Sequence, residues 1–99
     1  MPHFVIHCLD APGALPQRLR HYDEHKAYLA SAGVNILVSG PLISDDGETM
    51  IGSFFLIEAP AKADVEAFNA RDPFRRAGIW AEIRINAFHK RVDNLSRTS

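Results

Sequence analysis

The chain has 99 residues, of which 46% are hydrophobic and 23% charged, and its 11 Lys and Arg against 12 Asp and Glu leave a formal net charge of −1. This near balance argues against a nucleic-acid partner, because phosphate binding draws its affinity from clustered basic side chains, and no apolar run approaches the roughly 20 residues that span a bilayer. The single cysteine, Cys8, excludes an internal disulfide and, together with an N-terminus unlike a secretion signal, favours a cytoplasmic protein.

Glycine, proline and other turn residues divide the chain into predicted elements. Residues 3–10 are rich in β-branched and aromatic side chains, and this composition predicts a strand. A helix is predicted to begin at Pro16, whose missing N–H is no loss in a first turn, and to run until Gly33, which would end it in a left-handed conformation. Its apolar positions recur at helical spacing and are Leu15, Leu19, Tyr22 and Leu29.

The rest of the chain predicts two further strands, a short helix and a last strand. Residues 34–40 and 49–58 have strand composition, with the turn sequence SDDG between them. Residues 61–70 have the spacing of a short amphipathic helix, and residues 79–88 are predicted as the final strand. The order β-α-β-β-α-β predicts an α+β, ferredoxin-like fold in a single domain over residues 1–99. Residues 90–99 are predicted as a polar tail of that domain.

Both faces of the predicted sheet carry apolar side chains. The strand at 49–58 presents Phe54 and Leu56 on one side and Phe55 and Ile57 on the other. In this fold both helices cover the same face, so the other face needs a separate cover. A second copy of the chain is the simplest cover, and the sequence therefore predicts a homodimer whose sheets pack face to face. The alternative is a monomer with an unusually apolar surface.

His25 and Arg18 lie together on one shoulder of the predicted apolar stripe, two turns apart. A histidine there can rest its ring against the core and present its nitrogens to a cleft at the sheet edge. Asp72 precedes a proline, which favours an extended backbone, and its segment can return to the sheet margin beside the first helix. A carboxylate that accepts a hydrogen bond from one ring nitrogen fixes the tautomer and makes the other nitrogen a better base. His25 and Asp72 are therefore the candidate catalytic pair.

Structural interpretations of both residues stay open at this point. His25 could be a half-buried histidine without a catalytic role. Asp72 could be the N-cap of a short helix over residues 74–77, and a cap could also be the partner of the histidine. His21 and His25 could share a metal ion, but no third ligand stands at a recognisable spacing, so neither a metal nor a cofactor is expected.

Three further residues are predicted to bind the substrate, and one is predicted to lie in the core. The sequence SGPL at 39–42 is predicted to end a strand with a glycine turn, and it lacks the pattern of a phosphate loop. Arg18 and the backbone at Gly40 and Pro41 are the candidates for binding a substrate and the anion formed from it. Cys8 is predicted as a small core residue.

Three stretches taken together resemble the YCII-related (YciI-like) family. They are HKAYLASAG in the first helix, SGPL after it, and DPFRRAGIWAEIRI leading into the last strand, and the match runs from the first strand to Phe88. The resemblance implies a ferredoxin-like fold of the dimeric α+β barrel type and a His–Asp site in a pocket at the sheet edge. On this basis His25 falls on the family's helix histidine, Asp72 on the aspartate of its Asp-Pro motif, and Arg18 on a basic position often found there.

The resemblance also implies a function. A few relatives are implicated in the dehydrochlorination of hydroxylated aromatic compounds, and muconolactone isomerases share the architecture. We therefore expect a small dimeric enzyme that moves protons, in an elimination or an isomerisation, on a small oxygenated cyclic or aromatic metabolite. The alternative is a non-catalytic small-molecule-binding or accessory dimerisation module. Tyr22 stands where many members carry an arginine and Lys26 replaces a usual leucine, so no substrate is carried over from the family.

Overall fold

The computed structural model describes residues 1–95, so residues 96–99 of the predicted polar tail lie outside the described chain. No helix within residues 1–95 is long and apolar enough to cross a membrane. Residues 89–95 follow the last strand without regular secondary structure. The elements of the described chain are, in order, β1 (His3–Asp10), α1 (Leu15–Arg20), α2 (Tyr22–Ala30), β2 (Asn35–Ile43), β3 (Met50–Glu58), α3 (Lys62–Arg71), α4 (Pro73–Arg76) and β4 (Trp80–Phe88).

The strands form one antiparallel sheet in the order β2-β3-β1-β4. β1 lies between β3 and β4, and its His7 stands opposite Phe54 of β3 and Arg84 of β4. β2 and β4 are the edge strands. The prediction of an α+β, ferredoxin-like βαββαβ fold is confirmed.

The helices cover one face of this sheet and form the core with it. Phe4, Ile6 and Cys8 alternate along β1 and are buried, because successive side chains of a strand point to opposite faces. The same alternation buries Phe55 and Ile57 of β3. The helices and the start of β4 complete the core with Val65, Phe68, Phe74, Ile79 and Trp80. Cys8 thus occupies the core position predicted for it.

The opposite face of the sheet is partly apolar, with the exposed His7 standing in the middle of β1 among its apolar side chains. Val5, Leu9, Phe54 and Leu56 point to this side because they alternate with the core-facing residues. Each of them is only half buried in the single chain. The apolar second face expected from the sequence is present, and the homodimer that would cover it stays a prediction.

The single helix predicted over residues 16–33 is two helices, and this part of the prediction is wrong. His21 separates α1 from α2 with φ −97° and ψ 8°. His21 itself keeps helical hydrogen bonds across the break, because its N–H donates to the Gln17 carbonyl and its carbonyl accepts from the His25 N–H. α2 ends at Ala30, before Gly33, and the N–H groups of Ser31 and Ala32 bond to carbonyls of its last turn. Gly33 does not have the predicted left-handed backbone.

The predicted apolar stripe of this segment is wrong at Leu19 and Tyr22, whereas Leu29 packs against the core as expected. Leu19 is 57% exposed and Tyr22 is 43% exposed, whereas Arg18 and His25 are buried. Relative to the predicted orientation, the segment is rotated about its axis so that Arg18 and His25 face the interior. Both side chains have partners inside the fold, and this offsets the free-energy cost of burying a polar group. Lys26, on the same segment, is exposed.

β2 continues through Gly40 and Pro41, so the prediction that residues 39–42 end a strand with a glycine turn is wrong. A proline is tolerated there because β2 is an edge strand, where one side of the backbone has no partner strand. The turn to β3 lies at residues 44–49. Gly47 has φ +77° in this turn, a conformation that only glycine adopts without strain.

Candidate active site

The structure brings His25 and Asp72 together. The Nδ1 atom of His25, on α2, lies 2.8 Å from Oδ1 of Asp72, which stands between α3 and α4. Asp72 has an extended backbone, φ −63° and ψ 133°, as expected of a residue before proline. His25 is 7% exposed and Asp72 is fully buried. The contact therefore forms in a region from which bulk water is excluded.

Asp72 also caps α4. Its Oδ1 accepts a hydrogen bond of 2.8 Å from the backbone N–H of Phe74, so the residue is both a cap and the partner of His25. A backbone N–H can only donate, so Oδ1 acts as an acceptor in this bond. A carboxylate oxygen has a second lone pair, which can accept the hydrogen of His25 Nδ1. This arrangement selects the His25 tautomer with its hydrogen on Nδ1, which leaves a lone pair on Nε2. Oδ2 of Asp72 is buried without a hydrogen-bond partner in the described chain.

Aromatic rings fix the imidazole from several directions. Phe74 stacks on His25 with 3.9 Å between ring centroids and 5° between the planes. Phe55 and Trp80 present their rings nearly at right angles to it, with centroids at 6.2 Å and 6.4 Å. The ring has little freedom to rotate about χ2, so Nε2 keeps one direction.

His25 lies on the wall of a cavity of about 250 Å³ between the helices and the β2 side of the sheet. Nε2 makes no hydrogen bond within the described residues. The wall includes Arg18, Tyr22, His25 and Lys26 from the helices, Gly40 and Pro41 from β2, and Ser53 and Phe55 from β3. The three residues predicted to bind substrate, Arg18, Gly40 and Pro41, are therefore part of the same cavity wall as His25.

Arg18 forms a buried ion pair. Its Nε and Nη2 atoms lie 2.7 Å and 2.8 Å from the two carboxylate oxygens of Asp10, and Nη2 also donates to the Ser53 hydroxyl at 2.8 Å. The guanidinium carbon stands 4.7 Å from the centroid of the Phe74 ring. Two parallel hydrogen bonds fix a guanidinium firmly, so Arg18 is held in place and its charge is matched by Asp10.

Several residues of the cavity were not identified from the sequence. Ser53 and Phe55 reach the wall because they alternate on the helix-facing side of β3, and a serine within that apolar alternation was the available signal. Tyr22 was assigned to the apolar stripe, and both Tyr22 and Lys26 were otherwise identified only as departures from the family pattern. Their place at the cavity follows from the rotation of α1 and α2, which the helical wheel did not give.

Cys8 does not take part in this site as a nucleophile. Burial of its thiol, the largest effect, raises its pKa from 9.0 to about 12, although Asn69 nearby acts in the opposite direction. The thiolate is the reactive form of cysteine, so Cys8 is inert near neutral pH.

Known proteins match this chain over most of its length. The family model described as the YCII-related domain matches residues 2–89. An uncharacterised protein of Haemophilus influenzae is 29% identical over 100 residues, which covers 89% of this chain and 97% of that protein. Among solved structures, one similar chain is the 5-chloro-2-hydroxyhydroquinone dehydrochlorinase TftG of Burkholderia phenoliruptrix, in complex with 2,5-dihydroxybenzoquinone. It is 34% identical, with a TM-score of 0.79, and the match covers 88% of this chain and 93% of that one. An antibiotic biosynthesis monooxygenase, 12% identical with a TM-score of 0.55 and coverage of 93% and 100%, shares the fold.

Proposed function

The chain belongs to the YCII-related domain family, and from that premise we propose that it is an enzyme that converts a small oxygenated cyclic or aromatic metabolite by proton transfer. His25 is the general acid and base, and Asp72 is the residue that positions it. The observation that carries the proposal is the 2.8 Å contact between Nδ1 and Oδ1 on the wall of a cavity. The dehydrochlorinase TftG, which acts on a chlorinated hydroxyhydroquinone, supports the substrate class.

The proposed chemistry starts at Nε2 of His25. Its lone pair takes a proton from the bound ring, and the electron pair of the broken bond moves into the ring. In an elimination, that pair expels a leaving group such as chloride, and the substrate loses HX without an oxidant or a reductant. In an isomerisation, the same nitrogen returns the proton to another atom of the ring. A positioned base of this kind contributes roughly 10²–10⁴-fold to the rate.

The charge that forms on the imidazole during the reaction is matched by Asp72. Hydrogen bonds to an ionised group are about twice as strong as neutral ones, and the surroundings of this pair are buried. The fold itself holds the two groups at hydrogen-bond distance, so little reorganisation accompanies the proton transfer.

We propose that Arg18, Gly40 and Pro41 contact the substrate. A volume of about 250 Å³ suits a single substituted ring, since a cavity of about 150 Å³ already admits benzene. Phe55 supplies an apolar wall for the ring, and Ser53 and the guanidinium of Arg18 supply hydrogen-bond donors for its oxygens.

We propose further that the working form is a homodimer in the cytoplasm. The residues Val5, Leu9, Phe54 and Leu56 form an apolar patch on the sheet face opposite the helices, and a second copy of the same face would cover it. Burial of a large apolar side chain stabilises by about 1.5–3 kcal/mol, so covering this patch favours association and offsets part of the entropic cost of binding.

The test is turnover on a panel of single-ring substrates that contains chlorinated hydroxyhydroquinones and unsaturated lactones. Chloride release and ring absorbance would be followed for the wild type, His25→Ala and Asp72→Ala, with circular dichroism to check the fold. His21→Ala is the matched control, because His21 lies on the neighbouring turn and outside the cavity wall. Folded variants at His25 and Asp72 that lose turnover support the enzyme. Variants that keep full turnover and only melt earlier contradict it and favour the non-catalytic binding module.

A further inference from the structure

The cavity wall has an unequal balance of charges. Its ionisable side chains include Arg18, His25 and Lys26, and no Asp or Glu of the described chain lines it. The two carboxylates nearest to it, Asp10 and Asp72, stand behind the wall, where they bond to Arg18 and His25. Two of the three basic groups therefore have a carboxylate of their own, and Lys26 does not.

Lys26 is an exposed residue whose ammonium group lies over an aromatic ring. Its Nζ lies 5.0 Å from the centroid of the Tyr22 ring, one helical turn earlier on α2. Cations bind to aromatic faces at such distances, and residues four positions apart on a helix are neighbours. No carboxylate within residues 1–95 forms an ion pair with Lys26. The Tyr22 ring thus holds an unmatched positive charge at the cavity.

We propose that Lys26 is the anion-binding residue of this cavity, and that the ligand is a single-ring compound that carries a negative charge at neutral pH, such as a deprotonated hydroxyquinone. The inference rests on the proposed function, because it concerns the cavity of His25. Lys26 follows His25 directly on α2, and both side chains reach the same cavity. A ligand can therefore place a charged oxygen at the ammonium group while another part of its ring meets Nε2 of His25.

Arg18 is not suited to this role, although it is the more obvious cation. Both of its bonds to Asp10 are short, and the pair is buried. A guanidinium whose charge is matched at 2.7 Å by a carboxylate offers hydrogen-bond donors to a ligand but little net attraction for an anion. Selection for charge then falls to Lys26.

The experiment compares two ligands that differ in charge. The probes are 2,5-dihydroxybenzoquinone, an anion at pH 7.5, and hydroquinone, which is uncharged at that pH. Both would be titrated by calorimetry and by ¹H–¹⁵N NMR into the wild type, Lys26→Met, Lys26→Arg and Lys62→Met. Lys62 is an exposed lysine of α3 outside the cavity wall, so its variant is the control for loss of a charge.

Lys26→Met is expected to weaken binding of the anion about tenfold, because it removes the one unmatched charge, while hydroquinone binding changes less than twofold. Lys26→Arg and Lys62→Met should bind both probes like the wild type. Added NaCl should weaken anion binding by the wild type and have a smaller effect on Lys26→Met.

The inference is overturned if Lys26→Met changes the binding of both probes equally or of neither, or if the wild type does not bind the anion at millimolar concentration. Its failure can be told apart from that of the enzyme hypothesis. Turnover that depends on His25 but is indifferent to Lys26 refutes only the anion site. Charge-dependent binding without turnover on any substrate refutes only the enzyme.

Discussion

The imidazole of His25 lies parallel to the ring of Phe74, with 3.9 Å between their centroids. Phe74 is fully buried at the start of α4, and its backbone N–H donates to the same Asp72 oxygen that His25 Nδ1 contacts. One short helix therefore fixes both the edge and the face of the imidazole. The cap of α4 and the orientation of the proposed base are parts of one arrangement.

Phe74→Leu should impair turnover more than the loss of core volume alone would. Without the stacked ring His25 can rotate, so we expect kcat to fall at least tenfold with KM nearly unchanged, and the free energy of unfolding to fall by about 1–3 kcal/mol. Steady-state kinetics and urea unfolding measure both. Phe68→Leu is the control, since Phe68 is also a buried core residue, 5% exposed, but stacks on Tyr28 instead of His25. Equal losses of kcat in the two variants would contradict the orienting role.

Asp72→Asn should keep the helix cap and lose the charge opposite His25. The amide oxygen can still accept from the N–H groups of Phe74 and His25, because one oxygen of Asp72 serves both, but it no longer matches the charge that forms on the imidazole during the reaction. We expect kcat to fall by about 10²–10⁴ while circular dichroism shows an intact fold. Asp64→Asn, which alters only the bond from Ala61 N–H at the start of α3, should leave kcat unchanged. Full kcat in a folded Asp72→Asn would rule out the proposed pair.

Arg18→Met should destabilise the fold strongly, because it leaves the Asp10 carboxylate buried without its partner. Loss of one member of a buried pair costs about 3–5 kcal/mol, measured as the free energy of unfolding in urea. The double variant Arg18→Met/Asp10→Leu should recover most of this loss. Lys90→Met, which breaks the exposed pair with Asp93, should cost less than about 1 kcal/mol. A loss below that value in Arg18→Met would show that the buried pair does not stabilise the fold.

Phe54→Glu should separate the proposed dimer. Phe54 lies near the middle of the open sheet face, opposite His7 of β1 and Gly40 of β2, and a charge there would be buried between two apolar sheets. Light scattering should give twice the chain mass of 11.0 kDa for the wild type and the single chain mass for the variant. Ala67→Glu, on the exposed side of α3, should stay dimeric. A wild type of single chain mass would refute the dimer.

Cys8 should resist alkylation in the native protein. Burial raises the pKa of the thiol to about 12, so at pH 8 the folded chain holds less thiolate than an unfolded chain does, and only the thiolate reacts. We expect iodoacetamide to modify the native protein at least a hundredfold more slowly than the urea-unfolded protein. The reaction reports on one site, since the chain has one cysteine. Comparable rates in the two states would mean that β1 opens readily.

The sheet could be predicted from the sequence because its signals are local. The alternation of Phe4, Ile6 and Cys8 in β1, and of Phe55 and Ile57 in β3, is visible in the sequence and decides which side chains enter the core. The cap role of Asp72 follows from a carboxylate placed before a proline, whereas its contact with His25 also requires the fold to bring α2 and the start of α4 together.

The rotation of α1 and α2 could not be predicted in the same way. A helical wheel weighs apolar residues and would place Leu19 and Tyr22 inside, yet they are exposed. Arg18 and His25 are buried because of Asp10 on β1 and Asp72 before α4, and such contacts depend on the tertiary fold. Lys26 comes to the cavity by the same rotation.

The proline in β2 has a consequence for how molecules of this protein meet. An exposed edge strand is a template for a strand of another molecule, because its free N–H and C=O groups can extend the sheet. Pro41 has no N–H to offer, so the ladder of an added strand would be interrupted at the rim of the cavity. We therefore expect Pro41, a residue of the cavity wall, to disfavour growth of fibrils along that edge.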